Sequence, residues 1–183
     1  MIFSQPFYHI FKVKDHLLKK EEILFRISKH QKSYSSDDIK FEESGYTSFI
    51  SNTDWDDDHK GYHHTWFDIA FSERDKLNYK KFIRRVFNKD PDVHNSWFNQ
   101  YYESSGSEHH FHFHDDCPCA NVYYVELEDK SLRTILRHPV TGKEVVPRVN
   151  EGDVLVFNGK IWHRSPRNFT NTRKTIVAFN LQF

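Results

Sequence analysis

Cysteine is scarce in this 183-residue chain: Cys117 and Cys119 are the only two. A disulfide across the single residue between them would be strained, so both are expected as reduced thiols and a disulfide-stapled scaffold is excluded. A prevailing charge is missing too, since 26 Lys and Arg balance 26 Asp and Glu. That balance leaves no strong nucleic-acid signal and no acidic excess of the kind that marks a disordered tail. Long apolar runs are absent, and no stretch approaches the roughly 20 residues of a membrane-spanning helix. The opening MIFSQPFYHIFKVKDH lacks an uninterrupted apolar core followed by a small-residue cleavage site. A soluble, cytoplasmic protein is expected, without internal repeats or low-complexity tracts. One domain over 1–183 is the natural organisation for this length.

Aromatic residues, by contrast, are abundant: 17 Phe, nine Tyr and four Trp, a load that suits a β-rich core. Residues 15–28, DHLLKKEEILFRIS, contain neither glycine nor proline and space their aliphatic side chains as a surface helix would. A second helix is predicted to start at SERD, where Ser72 and Asp75 resemble a capping box, and to end near Asn88 to Pro91. Beyond it the pattern changes to short extended runs, NSWFNQYYE, FHFHD, ANVYYVEL, SLRTILRH, DVLVF and KTIVAFNLQF, separated by turn-like SSG, TGK, NEG, NGK and SPRN. Helices followed by antiparallel strands predict an α+β, mainly β, domain. Residues 1–94 form helical and mixed support, and 95–183 form the β-barrel core.

Residues 109–116 read HHFHFHDD. A regular strand there would turn His110, His112, His114 and Asp116 to one side and His109, Phe111, Phe113 and Asp115 to the other. The apolar pair would then face packing and the imidazoles a cavity. Imidazoles two apart on a strand converge on one point, which suits a metal. Further on, DVLVF leads into NGKIWHRSPRN, so His163 sits just past a strand and before a Ser-Pro turn. The alternation of RKTIVAFNLQF then groups Arg173, Thr175, Val177 and Phe179 on one face, expected to be a cavity wall. Tyr102, Tyr123 and Tyr124 are candidates for the pocket wall, the last two on opposite faces.

Three metal ligands on one face leave adjacent positions open for an oxo acid and oxygen, as an Fe(II) oxygenase needs. The distal carboxylate of 2-oxoglutarate requires a second anchor. A planar guanidinium meets it with paired, charge-assisted hydrogen bonds, and a hydroxyl completes the contact; Arg173 and Thr175 are the candidates.

Over roughly 95–183 the sequence resembles the 2-oxoglutarate and iron(II)-dependent oxygenase superfamily. EGDVLVFNGKIWHRSPRN followed by RKTIVAFN is similar to a subgroup frequent in bacteria and phages, and ISNTDW at 50–55 is similar to its upstream half. The resemblance implies a double-stranded β-helix, a jelly-roll or cupin-like barrel, with Fe(II), 2-oxoglutarate and O2 as cofactor and co-substrates. It implies His163 as the distal iron ligand and Arg173 as the carboxylate anchor. For a phage protein the compartment would be the host cytoplasm. The first two ligands stand in one of two registers. His114 with Asp116 matches the usual histidine, any residue, aspartate motif literally. His112 with His114 is favoured, because Gly106 lies six residues before His112 as in the prolyl-hydroxylase-like branch, and because the subgroup commonly has histidine at both positions. Asp116 is the fallback second ligand.

The implied activity is oxidative decarboxylation of 2-oxoglutarate coupled to oxidation, usually hydroxylation, of an unidentified peptide, nucleobase or small metabolite. Two other readings fit three histidines: a zinc hydrolase and a non-catalytic, metal-stabilised barrel that binds a ligand. Neither needs an arginine ten residues after the last ligand. Residues 55–66, WDDDHKGYHHTW, are a candidate lid.

Overall fold

Helices form where the sequence supplies ends as well as an apolar stripe. The computed structural model of the chain describes residues 6–29, 49–54, 65–115 and 117–183. Helix α1 (His16–Lys29) buries Ile23 and Ile27, and a short α2 (Thr65–Ala70) precedes α3 (Glu73–Phe87). At the start of α3 the Ser72 hydroxyl accepts from the Asp75 N–H at 3.2 Å. At its end Asn88 adopts the left-handed conformation, φ 53°, and donates its N–H to the Arg84 carbonyl. Both helix ends agree with the sequence reading. The Asp75 carboxylate does not complete a capping box, however. It is fully buried and accepts the backbone N–H groups of Lys14 at 3.0 Å and Asp15 at 2.8 Å, tying the entry to α1 to the start of α3.

The strands are β1 (Tyr8–Lys12), β2 (Asn52–Thr53), β3 (Asp92–Tyr101), β4 (His109–His112), β5 (Cys119–Leu127), β6 (Ile135–Arg137), β7 (Glu144–Val145), β8 (Asp153–Phe157), β9 (His163–Ser165) and β10 (Lys174–Gln182). They build a six-stranded sheet in the order β1-β8-β5-β10-β3-β2 and a four-stranded sheet in the order β4-β9-β6-β7. Every pairing is antiparallel.

Three elements differ from expectation. SLRTILRH is not one strand: Lys130–Leu132 is a 3-10 turn whose Ser131 N–H is held by the Asp129 carboxylate at 2.8 Å, and only Ile135–Arg137 pairs. His163 opens a three-residue strand instead of lying in a loop, because β9 is clasped between β4 and β6. Residues 8–12 pair with β8 from Tyr8↔Phe157 to Lys12↔Asp153, a partner too distant in sequence for a local pattern to reveal. Strand pairing therefore crosses the expected boundary at 94/95, since β1 and β2 belong to the larger sheet.

Two apolar cores flank that larger sheet. One joins Ile23, Phe67, Tyr79 and Ile83 of the helices to Tyr123, Val177 and Phe179 of the strands. The other joins Tyr124, Leu155 and Ile176 to Leu136 of the smaller sheet. Each fully buried Phe or Ile contributes about 1.5–3 kcal/mol, so both faces of β5, β8 and β10 are strongly specified. No helix among the described residues is long and apolar enough to cross a membrane.

Removing a buried carboxylate that satisfies two backbone donors should cost about 3 kcal/mol. Asp75→Ala is expected to lower the unfolding free energy by that amount, read from the shift in denaturant midpoint multiplied by m, without changing metal affinity. Ser72→Ala, which loses the cap bond and a bond to the Asp15 carboxylate, should cost less, about 1–2 kcal/mol.

Candidate metal centre

The pairing of β4 with β9 sets His109 opposite Ser165 and His112 opposite His163, so two residues on β4 oppose only one on β9. This bulge reverses the facing of the strand's first residues. His109 enters the pocket and its ring stacks on His112 with centroids 3.8 Å apart. His110 turns away, 3.4 Å from the Glu108 carboxylate. A regular strand would have done the opposite. Phe111 also departs from the expected packing role: it lies beneath the guanidinium of Arg137, 4.4 Å from its centroid, and beside that of Arg164. Phe113 is partly exposed against Trp162.

His112, His114 and His163 converge, with their ligating nitrogens all within 4.8 Å of one another. His114 lies just past β4, held by its N–H to the Gly159 carbonyl at 2.9 Å. Gly159 belongs to the NGK turn, and a Cβ there would fall 2.0 Å from the Cys117 carbonyl oxygen. Only glycine lets this turn approach so closely. His112 Nδ1 lies 2.8 Å from the His110 carbonyl and His163 Nδ1 2.9 Å from the Ile161 carbonyl. Those carbonyls orient the two rings and leave Nε2 for the common centre. Burial pushes the imidazole of His112 down to about 4 and that of His114 to about 3, and holds His163 well below its ordinary range. All three are thus neutral donors with a free lone pair, the form a divalent transition metal binds.

Asp116, the fallback ligand, lies outside the described residues, as do 55–64 of the candidate lid. Cys117 and Cys119 are free and buried, with thiols pushed up by burial to about 11 and about 12. They remain protonated and do not join the histidine cluster.

Arg173 and Thr175 are not brought to this pocket. Arg173 makes a two-pronged ion pair with Glu126, Nε to Oε2 at 2.8 Å and a terminal nitrogen to Oε1 at 2.9 Å. The Thr175 hydroxyl bonds the same carboxylate and accepts from Gln100 at 3.2 Å. The alternation that groups Arg173, Thr175, Val177 and Phe179 is present, but this face of β10 is the one whose Val177 and Phe179 pack under the helices. The pocket face carries Ile176, Ala178 and Asn180, and with them Lys174.

Lys174 was not singled out by the sequence, although its parity with small Ala178 and polar Asn180 marks a cavity side. It is fully buried, donates to the Ser165 hydroxyl at 2.8 Å, and lies 5.0 Å and 5.8 Å from the ring centroids of Tyr101 and Tyr124. No described carboxylate pairs with it, and burial pushes its ammonium down to about 7. Tyr123 and Tyr124 do face opposite ways, the former toward His16 and the helices, the latter toward Thr134 and the inner core.

Replacing Gly159 by Ala is expected to displace His114 and weaken Fe(II) binding at least tenfold, measured by anaerobic titration. His112→Ala, His114→Ala and His163→Ala should each do the same, whereas His109→Phe, which keeps a stacking ring but offers no nitrogen, should leave metal affinity within about threefold of wild type.

No family model matches the sequence, and neither does any curated protein. Solved structures do match in shape. AviO1 from Streptomyces viridochromogenes Tue57 superposes with a TM-score of 0.67 at 13% identity, over 99% of this chain and 91% of that one. The viral collagen prolyl hydroxylase of Paramecium Bursaria Chlorella virus-1, in complex with 2-oxoglutarate, gives 0.60 at 11% identity, over 99% and 98%. EctD from S. alaskensis with bound Fe gives 0.66 at 12% identity, over 98% and 74%. The fold of this chain is therefore the one found in the 2-oxoglutarate and iron(II)-dependent oxygenases.

Proposed function

We propose that the chain is an Fe(II)- and 2-oxoglutarate-dependent oxygenase built on a double-stranded β-helix, with His112, His114 and His163 as the metal ligands. The single observation that carries this reading is the pairing of a neutral histidine triad with a buried, unpaired cation in the same interior. A charge buried without a counter-ion is costly, and an anionic ligand removes that cost. A metal alone would not: it adds positive charge. Lys174 is thus the anchor for the distal carboxylate of 2-oxoglutarate, in place of Arg173, whose guanidinium is already occupied by Glu126 on the other face of the strand. A zinc hydrolase or a purely structural metal site has no use for such a lysine.

When bound, iron(II) with 2-oxoglutarate and O2 supplies the oxidising power, releasing succinate and carbon dioxide. The chain's own residues do the placing. The carbonyls of His110 and Ile161 hold the His112 and His163 rings in one orientation. The Ser165 hydroxyl keeps the ammonium of Lys174 from folding away, and Tyr101 and Tyr124 wall it off from water. The absence of a carboxylate from the described triad leaves the site one unit more positive than the usual motif would, which strengthens its hold on a dianionic co-substrate. The prime substrate, whether peptide, nucleobase or small metabolite, is bound beyond these groups.

An anaerobic titration with Fe(II) and 2-oxoglutarate should produce the visible charge-transfer band of their chelate; tight zinc binding with no such band would favour the hydrolase. Lys174→Met should keep iron but weaken 2-oxoglutarate binding by about 2–5 kcal/mol, at least about thirtyfold, while Arg173→Ala should change it less than about threefold. The pH dependence has a definite sign. The folded lysine loses its proton near 7, the unfolded one only near 10.5. Between those values the unfolded chain binds more protons at this site, so the Lys174 contribution to the stability of the unliganded protein should rise with pH across that window and be flat below it, apart from the separate rise that the neutral histidines give below about 6.5. Lys174→Met should remove that contribution, read as the wild-type minus variant difference in unfolding free energy at successive pH values.

A further inference from the structure

At the opposite end of the same pocket face, two carboxamides on paired strands bond no described residue. Asn180 of β10 stands directly across from Asn95 of β3. The Asn95 Oδ1 is buried and has no hydrogen-bond partner. Asn180 is only 7% exposed, lines the pocket, and its carboxamide bonds no described residue. Asn95 stands behind the pocket wall and Asn180 lines it, and a carboxamide more than nine-tenths buried at a pocket wall without a protein partner is placed to bond a ligand. Asn121, the neighbouring carboxamide, shows the contrast: it accepts from Tyr79 at 2.6 Å and donates to the Cys119 and Phe179 carbonyls.

Position supports the same conclusion. Two residues before Asn180, Ala178 pairs with Trp97, whose ring lies 6.0 Å from that of His114. Asn180 is therefore one strand repeat, about 7 Å, beyond the residue that pairs with Trp97. Lys174 is at the far end of the same face, three repeats away, so the two polar features serve different ligands. Neither Asn95 nor Asn180 carries charge, and no described acid or base is paired with them. The Asn180 carboxamide offers an amide donor and a carbonyl acceptor at once, the complement of another amide.

We infer that Asn180, with Asn95 behind it, forms the prime-substrate subsite of the oxygenase proposed above, and that it takes an amide group, either of a peptide backbone or of a free carboxamide amino acid. The inference rests on that oxygenase reading for its role, but the subsite itself can be tested without iron or turnover. Trp97 closes one wall but is itself covered, leaving no open aromatic face for stacking a nucleobase.

The experiment uses the full chain loaded with Zn(II). Two probes are followed by saturation-transfer NMR: N-acetyl-alanine-N-methylamide and free L-glutamine. Wild type should bind at least one of them; the first alone marks a peptide, the second alone a free amino acid. Asn180→Leu should lose that binding at least tenfold, and Asn180→Gln should retain part of it. The same Asn180→Leu substitution should raise the melting temperature of the unliganded protein by about 2–4 °C, because it exchanges a mostly buried polar group without a protein partner for an apolar one of similar size. A fall in melting temperature would mean that the carboxamide is a structural element, and undiminished probe binding in Asn180→Leu would place the amide site elsewhere; either result overturns the inference. Failure of the oxygenase reading shows separately, as loss of the charge-transfer band in wild type with probe binding and the melting shift intact.

Discussion

The antiparallel ladder between β4 and β9 is short, and the candidate centre depends on it. Because His112 stands opposite His163, two imidazoles from segments some fifty residues apart in the chain are brought ring to ring by backbone pairing alone, at 4.1 Å between centroids. The third, His114, comes from beyond the ladder and needs the NGK turn to hold it. The bulge between the two paired positions then decides which of the remaining histidines enters the pocket. A ladder this short is stabilised less by its own hydrogen bonds than by its neighbours: β6 on one side, and the core formed by Leu136, Phe157 and Ile161 beneath.

Strand β10 distributes the remaining chemistry. One face is under the helices and carries Val177 and Phe179 into an aromatic core, with the Arg173, Glu126 and Thr175 group at its edge. The other carries Lys174 at one end and Asn180 at the other, separated by Ile176 and Ala178. A single strand thus places a buried lysine and a neutral polar group at opposite ends of one face. A bulge between Thr175 and Ile176 against β5 keeps Glu126 on the outer face with Arg173 while Leu127 returns to the inner core. Without it the carboxylate of Glu126 would point inward, where it would neutralise Lys174 and compete with an anionic ligand.

The helices matter to this arrangement through rigidity. Asp75 pins the start of α1 to the start of α3, and Tyr79 of α3 reaches through the outer core to donate to Asn121 on β5. His16 bonds the Tyr123 hydroxyl at 2.7 Å from the other helix. These buried polar contacts fix the larger sheet from behind, so the inner face can afford an unpaired lysine and unsatisfied carboxamides. Local instability at a ligand pocket is tolerable when the surrounding core is well determined.

Read alone, the sequence determined the helix ends, through Ser72 and Asn88, and the strands with strong alternation, β3, β5, β8 and β10. It left two registers open for the ligands that accompany His163, favouring His112 with His114 by resemblance and keeping Asp116 as the fallback; the convergence of the three histidines is a tertiary observation. It did not decide which face of β10 is the cavity side: alternation has a period of two and is silent about which parity is inward, so Arg173 was placed where Lys174 stands. Nor did it decide between His109 and His110, because a bulge is a property of two paired strands and has no signature in one of them. The strand at Tyr8–Lys12 and the short β9 were also tertiary decisions, since each exists only through pairing with a distant partner. Side-chain type and spacing specify what a segment can do; the register of its neighbours settles which of its two faces does it.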